Sequence, residues 1–267
     1  MTDSYSIKPP SSESETLPLL LKSLRLPYMK RQWQEMEKQA IQQGWSYGQF
    51  LHALCEYEQQ QRYTSRVERY LHESQLPRAK SFANFDFTCC PSINQALVMQ
   101  LAQDCRWLQR GKNLLSFGPS GVGKTHLASA VGRSVIELGQ RVKFTCATFL
   151  VQQLLQAKAD LQLPHFLAKL DKYDLLVIDD IGYVKKSEVE TSVLFELISH
   201  RYEIKSLLIT ANQTFSDWDT IFADATMTVA AVDRLVHHAT IIEIQTQSFR
   251  QKTALARSNS HDSNRTE

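Results

Sequence analysis

The spacing of apolar positions changes along the chain near residue 80. Up to that point apolar residues recur every three or four positions, the period that places side chains on one face of a helix. Two such stripes are Met29, Trp33, Met36 and Ala40, followed by Phe50, Leu51, Leu54 and Cys55. The pattern predicts a small all-helical domain over residues 17–80, preceded by a disordered segment, 1–16, that contains Ser, Pro and Glu.

Short apolar runs of the buried-strand type alternate with helical patterns from residue 81 onward. The strand candidates are 113–117, 141–145, 174–180, 207–211 and 241–244, and the helical stretches are 127–138, 149–155, 165–170 and 187–204. Strands that alternate with helices are typical of a mostly parallel sheet covered on both faces. We therefore predict an α/β domain over residues 81–252 and a disordered tail over 253–267.

The first strand-to-helix turn of this domain carries a complete phosphate-binding loop. Residues 118–125 read Gly-Pro-Ser-Gly-Val-Gly-Lys-Thr. Glycines let backbone N–H groups close around phosphate oxygens, and the helix dipole adds to the attraction. Lys124 would reach the β and γ phosphates, and the Thr125 hydroxyl would ligate magnesium. The predicted cofactors are ATP and Mg²⁺, and the predicted nucleotide contacts are Gly118, Pro119, Ser120, Gly121, Val122, Gly123, Lys124, Thr125 and His126.

Two carboxylates end the strand candidate 174–180. Asp179 is predicted to hold the magnesium ion together with Thr125, and Asp180 to polarise the attacking water. Taken alone, two adjacent acids at a strand end are also typical of a solvated turn. In combination with the phosphate-binding loop, they predict the second half of an ATPase site.

Asn212 follows the next strand candidate, 207–211. An amide at the tip of a strand beside the phosphate strand can orient water and contact the γ phosphate. A lone Asn after a strand is more often a turn former. Its place after the two nucleotide motifs favours the catalytic role.

Composition and charge restrict the setting. The chain has 267 residues, 43% of them hydrophobic, which is enough for a substantial core, and its net charge is only +2. No apolar run approaches membrane-spanning length, and no basic region precedes the short apolar run 17–21. The five cysteines form no C-x-x-C motif, and no metal-ligand spacing surrounds His237 and His238. A reducing bacterial cytoplasm is the expected compartment, and any contact with nucleic acid must be local.

Basic residues near the end of the helical region are candidates for that contact. Arg62, Arg66 and Arg69 are spaced by four and three, so they share one helical face suited to tracking phosphates. The alternative is a solvated face in which Glu58 pairs with Arg62 and Arg69 with Glu73. The full set of predicted DNA contacts is Arg62, Arg66, Arg69, Arg78, Lys80, Lys185 and Lys186. Because no base-reading module is present, such contacts would be to the backbone, with weak sequence preference.

Several short motifs resemble those of a known group of ATPases. Gly-Lys-Thr-His-Leu-Ala at 123–128, Val-Ile-Asp-Asp-Ile-Gly at 177–182, Asp-Arg-Leu at 233–235 and Ser-Phe-Arg at 248–250 resemble AAA+ ATPases of the initiator and helicase-loader clade. Leu-Arg-Leu-Pro at 24–27, the Arg-rich stretch 62–69, and Leu-Pro at 76–77 before Phe-Asp-Phe at 85–87 are most similar to the IstB transposition helpers. The resemblance covers roughly residues 17–252.

The resemblance implies roles for two arginines. Arg234 matches the position of an arginine finger, which acts on the γ phosphate held by a neighbouring subunit and so implies a multi-subunit assembly. From the residues alone, Asp233 and Arg234 are more typical of a local surface ion pair. Arg250 matches the clade's second sensing arginine. Too few residues follow Ile244 for the usual C-terminal lid domain, so we expect none, and Arg250 would act from a short tail.

Three functions are compatible with these observations. The leading hypothesis is a nucleoid-associated helper that oligomerises with ATP on duplex DNA, as a ring or filament, and recruits or activates a partner transposase. The second is a replicative helicase loader of the same clade. The third is a small-molecule P-loop kinase, which is disfavoured because it explains neither Asn212 nor Arg234.

Overall fold

The computed structural model describes residues 13–182, 187–214, 217–218 and 224–246. Within them the helices are α1 (Glu13–Ser23), α2 (Pro27–Gln43), α3 (Tyr47–Ser74), α4 (Gln95–Gln103), α5 (Arg106–Gln109), α6 (Lys124–Glu137), α7 (Ala147–Ala159), α8 (Leu163–Leu170), α9 (Glu188–Arg201) and α10 (Ala225–Val236). The strands are β1 (Asn113–Phe117), β2 (Val142–Cys146), β3 (Leu175–Asp179), β4 (Ser206–Ala211) and β5 (Ala239–Glu243). No helix in this described part combines the length and apolarity needed to cross a membrane.

All five predicted strands form, each within a few residues of its expected limits. The prediction of disorder over residues 1–16 is wrong for the last four of them, because α1 begins at Glu13. Residues 13–16 form the first turn of α1, and the helix continues through Pro18.

The strands form a parallel sheet in the order β2-β3-β4-β1-β5. Parallel strands need a crossover between them, and here each crossover contains at least one helix. The carboxyl ends of β1, β3 and β4 consequently meet at one edge of the sheet. This confirms the predicted α/β class and brings the three candidate motifs to the same edge.

Helices cover both faces of the sheet. On one face, Leu115, Leu176 and Ile209 pack into a core shared with α7, α8, α9 and α10. On the other face, α6 contacts β1 to β4 and also packs against α4. Burial on both sides explains why these strands are nearly continuous apolar runs rather than alternating ones.

The chain divides into two compact units, Met1–Glu68 and Arg69–Glu267, and the division falls within α3. The predicted domain limits, 17–80 and 81–252, place the boundary later in the chain and remain a prediction. In the first unit, Leu21, Met29, Trp33 and Leu54 form a small core. Leu51 and Cys55, although part of a predicted apolar stripe, are exposed, because each is rotated one position past the inward-facing Phe50 and Leu54.

A buried carboxylate fixes the packing of the first unit. Glu58 on α3 is only 4% exposed and accepts hydrogen bonds from the backbone N–H groups of Tyr28 (2.8 Å) and Met29 (2.7 Å). These groups lie in the first turn of α2, where Leu26 provides no side-chain cap. Glu58 therefore caps α2 from a different helix, and its negative charge is favourable at that helix end.

Candidate nucleotide-binding site

The phosphate-binding loop leaves β1 at Gly118. The φ angle of Gly118 is +143°, and a Cβ at this position would lie 2.4 Å from the carbonyl oxygen of Ile244. A side chain here would collide with the backbone at the end of β5. The loop can follow its path only because the first residue is glycine.

Helix α6 begins directly after the loop and has an open N-terminus. Its N-cap residue is Gly123, and no side chain caps the first turn. Backbone N–H groups in the first turn of a helix have no intrahelical acceptor, and the helix dipole favours an anion there. These donors fit the phosphate groups of a nucleotide, in agreement with the sequence prediction.

Lys124 bridges the loop and the tip of β4. Its side-chain Nζ donates hydrogen bonds to the carbonyl oxygens of Gly118 (2.7 Å) and Pro119 (2.8 Å) and to Oδ1 of Asn212 (2.6 Å). The residue is 6% exposed, so its ammonium group is largely desolvated. A cation surrounded by neutral oxygens and facing the open helix end is well placed to bind phosphate.

The ends of β3 and β4 are joined by a hydrogen-bonded network. The Thr210 hydroxyl donates to Oδ1 of Asp179 (2.6 Å) and accepts from the backbone N–H of Asp180 (2.9 Å). Asn212 Nδ2 donates to Oδ1 of Asp180 (3.1 Å). A single threonine thus orients Asp179 directly and Asp180 through its backbone.

Asp180 has an unusual backbone conformation. Its φ angle is +66°, in the left-handed region, which Asp tolerates better than most residues. The turn directs its carboxylate toward Asn212 rather than along the strand. Lys124, Asn212 and Asp180 are consequently linked in series, so the three sequence motifs form one site.

A cleft of about 300 Å³ lies over this site. One wall consists of the predicted motifs, and a second wall comes from the segment before α4. The lining residues are Lys80, Asn84, Phe85, Asp86, Cys89, Cys90, Ser120, Gly121, Val122, Gly123, Lys124, Thr125, His126, Asp180, Asn212 and Thr246. All predicted nucleotide contacts from Ser120 to His126 therefore lie in the cleft.

His126 connects the two walls. Its Nε2 lies 2.9 Å from the carbonyl oxygen of Ser81, and its ring meets the Phe85 ring edge-on at 5.2 Å. The side chain thus anchors the segment 81–85 against α6. Any contact of His126 with nucleotide would be secondary to this packing role.

Asp86 contributes a negative charge to the second wall. A hydrogen bond from the Thr88 side chain, with others from Cys89 Sγ and the Thr88 backbone, lowers the pKa of Asp86 below its usual value. Its carboxylate is therefore ionised at neutral pH. A negative charge suits the neighbourhood of a base or sugar better than that of the phosphates.

Arg234 lies near the C-terminal end of α10 and does not line the cleft of its own chain. Its Nη1 donates to the carbonyl oxygen of Ala230 (2.9 Å), and its guanidinium lies 5.0 Å from the centre of the Phe195 ring. The alternative interpretation, an ion pair with Asp233, is not formed between these two described residues. The half-buried guanidinium is thus held by these contacts on α10 and α9.

Comparison with known proteins identifies the family. The family model described as IstB-like ATP binding protein matches residues 19–257, most of the chain. The chain belongs to the IstB family.

Relatives of this IstB-family chain are insertion-sequence proteins. A putative insertion sequence ATP-binding protein of Sinorhizobium fredii is 50% identical over 239 residues, 90% of this chain and 80% of the relative. The IS21 putative ATP-binding protein of Pseudomonas aeruginosa is 34% identical over 236 residues, 88% of this chain and 89% of the relative. The resemblance noted from the motifs is confirmed.

Two solved structures share the fold of the α/β region. The DnaC helicase loader has a TM-score of 0.51 at 23% identity, covering 66% of this chain and 99% of the loader. DnaA from Aquifex aeolicus, bound to AMPPCP, has a TM-score of 0.53 at 19% identity, covering 64% of this chain and 51% of DnaA. At this identity the likeness concerns the fold alone, which is the AAA+ P-loop fold.

The predicted DNA contacts of the IstB-family chain fall in different surroundings. Arg62, Arg66 and Arg69, here called the arginine face, are exposed on α3. Arg78 is also exposed, whereas Lys80 lines the nucleotide cleft. Lys185, Lys186 and the predicted sensing residue Arg250 lie outside the described residues.

Each member of the arginine face already has a partner. Arg62 Nε donates to Glu58 Oε1 (2.7 Å), and its Nη2 donates to the carbonyl oxygen of Arg25. Arg66 lies 5.4 Å from the centre of the Tyr63 ring. Arg69 lies 3.9 Å from Glu73, so both ion pairs of the alternative interpretation form. Of the three, Arg62 is the most firmly tied to the structure.

Two features of the site were missed by sequence reasoning. Thr210 is the polar residue within the buried run Leu-Leu-Ile-Thr-Ala, and its 1% exposure requires a hydrogen-bonding partner. That polar interruption was a usable signal. The wall from Asn84 to Cys90 contains the Phe-Asp-Phe motif at 85–87, which carries part of the family resemblance. Its two short 3-10 turns, Phe82–Asn84 and Phe87–Cys89, leave no periodic pattern that would place it beside the loop.

Proposed function

We propose that this protein is an ATP-dependent helper of DNA transposition. It binds ATP in the cleft, assembles on duplex DNA into a ring or filament, and recruits or activates the transposase of the same insertion element. Hydrolysis of ATP is coupled to assembly and disassembly. The observation that carries the proposal is the linked series Lys124, Asn212 and Asp180, which connects phosphate binding to the hydrolytic carboxylate.

The side chains suggest a division of labour at the γ phosphate. Lys124 exchanges its contacts with loop carbonyls for phosphate oxygens, and this releases Asn212 toward the γ phosphate. Thr125 and Asp179 would hold Mg²⁺, which when bound neutralises phosphate charge during transfer. Asp180 accepts the proton of the attacking water. The Thr210 hydroxyl, through the backbone N–H of Asp180, fixes the turn that carries Asp179 and Asp180, here called the acidic turn.

The position of Arg234 supports a site shared between subunits. This guanidinium does not line the cleft of its own chain and lies near the C-terminal end of α10. An arginine supplied by a neighbour stabilises the charge that develops on the transferred phosphoryl group. ATP hydrolysis would then depend on assembly, as expected for a helper that is active only as a DNA-bound oligomer.

The relatives favour the transposition role over the helicase-loader role. The similar proteins from S. fredii and P. aeruginosa are named for insertion sequences and extend over nearly the same length. The likeness to the DnaC loader is limited to the fold. The kinase alternative has no comparable support and leaves Arg234 without a role.

Electron microscopy of the purified protein tests the proposal. We expect rings or filaments with ATP and duplex DNA, recruitment of the transposase encoded beside the gene, and neither for Lys124→Ala. A matched control, Lys158→Ala, removes a lysine paired with Glu196 on the surface and should assemble normally. A wild-type protein that stays monomeric with every combination of ATP and DNA would contradict the proposal.

A further inference from the structure

Three potential metal ligands meet at the edge of the sheet opposite the nucleotide cleft. Glu203 lies in the turn before β4, and His237 and His238 form the connection between α10 and β5. Because β4 and β5 flank β1 on either side and all three strands are parallel, these two turns lie at the same edge of the sheet, on either side of the start of β1. A five-residue strand spans about 16 Å, so this cluster is well separated from the phosphate-binding loop.

The ligand atoms are spaced as in a metal site. Oε1 of Glu203 lies 3.3 Å from Nε2 of His238 and 3.9 Å from Nδ1 of His237. One ligand atom from each residue lies within 4.8 Å of the other two. Zinc bonds of about 2.0–2.2 Å in a tetrahedron place neighbouring ligand atoms about 3.3–3.5 Å apart. Small side-chain rotations would bring the three ligand atoms to this spacing, and a water molecule would supply the fourth ligand.

The backbone that carries these ligands is braced. Asn113, the first residue of β1, donates from Nδ2 to the carbonyl oxygen of Leu235 (3.1 Å) and accepts at Oδ1 from the N–H of Leu207 (2.9 Å). Gly111 has a φ angle of +60°, and a Cβ there would lie 2.6 Å from the carbonyl carbon of Glu203. Both turns are thus fixed against β1, which lowers the cost of assembling the ligands.

A fourth residue orients one of the rings. The Tyr202 hydroxyl lies 2.5 Å from Nδ1 of His237, and the two rings are stacked with centroids 6.0 Å apart. The stacking keeps Nδ1 on the side of Glu203. Metal binding at Nδ1 would replace this hydrogen bond, and the phenol oxygen would then lie close enough to contact water bound to the ion.

We propose that Glu203, His237 and His238 bind one divalent transition-metal ion of the Zn²⁺ class. Two imidazole nitrogens and one carboxylate are ligands that Zn²⁺ prefers, whereas Mg²⁺ and Ca²⁺ select oxygen-only sites. The three side chains are between 42% and 53% exposed, so an ion can enter from solvent. The ion would tie the end of α10, one turn beyond Arg234, to the turn before β4.

Metal titration of the chelator-treated, untagged full-length protein tests this site. We expect one Zn²⁺ per chain, and Co²⁺ used as a probe should give the visible absorption of tetrahedral coordination. Glu203→Gln and His238→Ala should each weaken Zn²⁺ binding by more than about 100-fold, since even residues behind the ligands contribute 10- to 100-fold. Excess Mg²⁺ should not displace the ion.

His52→Gln is the matched control. His52 is an exposed histidine whose Nδ1 lies 3.5 Å from Glu56, so it forms the same type of pair but lacks a third ligand. This variant should bind Zn²⁺ like the wild type. Absence of saturable Zn²⁺ binding, or unchanged affinity in both Glu203→Gln and His238→Ala, would overturn the proposal and leave a simple His–Glu ion pair. Unfolding midpoints measured without metal verify that the variants are folded.

Discussion

The nucleotide cleft and the arginine face of α3 would supply the two contacts that a DNA-bound ATPase needs, and they are built differently. In the cleft, Lys124, Asn212 and Asp180 are buried or half-buried and bonded to one another across three elements. On the arginine face, each side chain is exposed and engages a partner on its own helix, and Arg62 also donates to the carbonyl oxygen of Arg25. The cleft is preorganised for one ligand, whereas the arginines must give up or share weak contacts to bind another.

This difference predicts different sensitivities to substitution. Buried, charge-assisted hydrogen bonds fix geometry, and removing one member disturbs the others. Exposed ion pairs contribute little to stability and yield easily to phosphate. Single substitutions in the cleft should therefore cause large losses of ATP hydrolysis, whereas those on the arginine face should each cause a small loss of DNA affinity.

The largest effect is expected at Arg234. Arg234→Ala should bind ATP normally but hydrolyse it about 10³- to 10⁵-fold more slowly, the contribution typical of arginine fingers. Mixing this variant with Lys124→Ala should restore part of the activity, because one interface then pairs an intact loop with an intact arginine. Steady-state ATPase assays over a range of mixing ratios measure this. Complete lack of recovery would argue against a shared site.

The next effect concerns the acidic turn. Asp180→Asn should retain nucleotide and prolong the assembled state, with hydrolysis slowed about 10²- to 10⁴-fold, as expected for loss of a general base. Thr210→Val preserves shape but removes the hydroxyl that orients both carboxylates, so hydrolysis should fall by a smaller factor. Single-turnover kinetics with a nucleotide-binding assay separate the two steps. Thr210→Ser, which keeps the hydroxyl, is the control, and full activity in Asp180→Asn would refute the role of Asp180.

A third prediction concerns Glu58, the carboxylate on α3 that caps α2 rather than binding a ligand. Glu58→Ala leaves two N–H groups of α2 without their acceptor and should cost about 1–3 kcal/mol of stability in the first unit. Hydrogen exchange of α2 amides measures the loss. Glu56→Ala, on the same helix but with an exposed side chain, should leave exchange unchanged. Equal protection in both variants would show that Glu58 is not a cap.

The smallest effect is expected on the arginine face itself. Replacing Arg66 and Arg69 with Gln should flatten the plot of log DNA affinity against log salt by about 0.9 per lost phosphate contact, so by nearly 2 in total, for all sequences alike. Arg62 is best tested alone, because its bond to Glu58 makes its loss partly structural. A double variant with the wild-type slope would show that Arg66 and Arg69 do not contact DNA phosphates.

The sequence predicted the α/β fold and the meeting of its three motifs because those motifs are local. The loop 118–125, the acids after β3 and Asn212 after β4 each lie at a strand end, and parallel strands bring such ends together. The wall formed by Phe85 and Asp86 could not be predicted, since it depends on packing against His126. The proposed metal site was missed for a similar reason, because Glu203 is distant in sequence from His237 and His238.

The Thr210 hydroxyl has an evolutionary consequence. It is bonded both to the side chain of Asp179 and to the backbone of Asp180, so positions 179 and 210 cannot change independently. Lineages that keep the acid should keep Thr or Ser opposite it, and a relative with an apolar residue at position 210 should carry a compensating change in the acidic turn. Covariation between these two strand ends would then record past selection for the geometry of the two acids that follow one another at the end of β3.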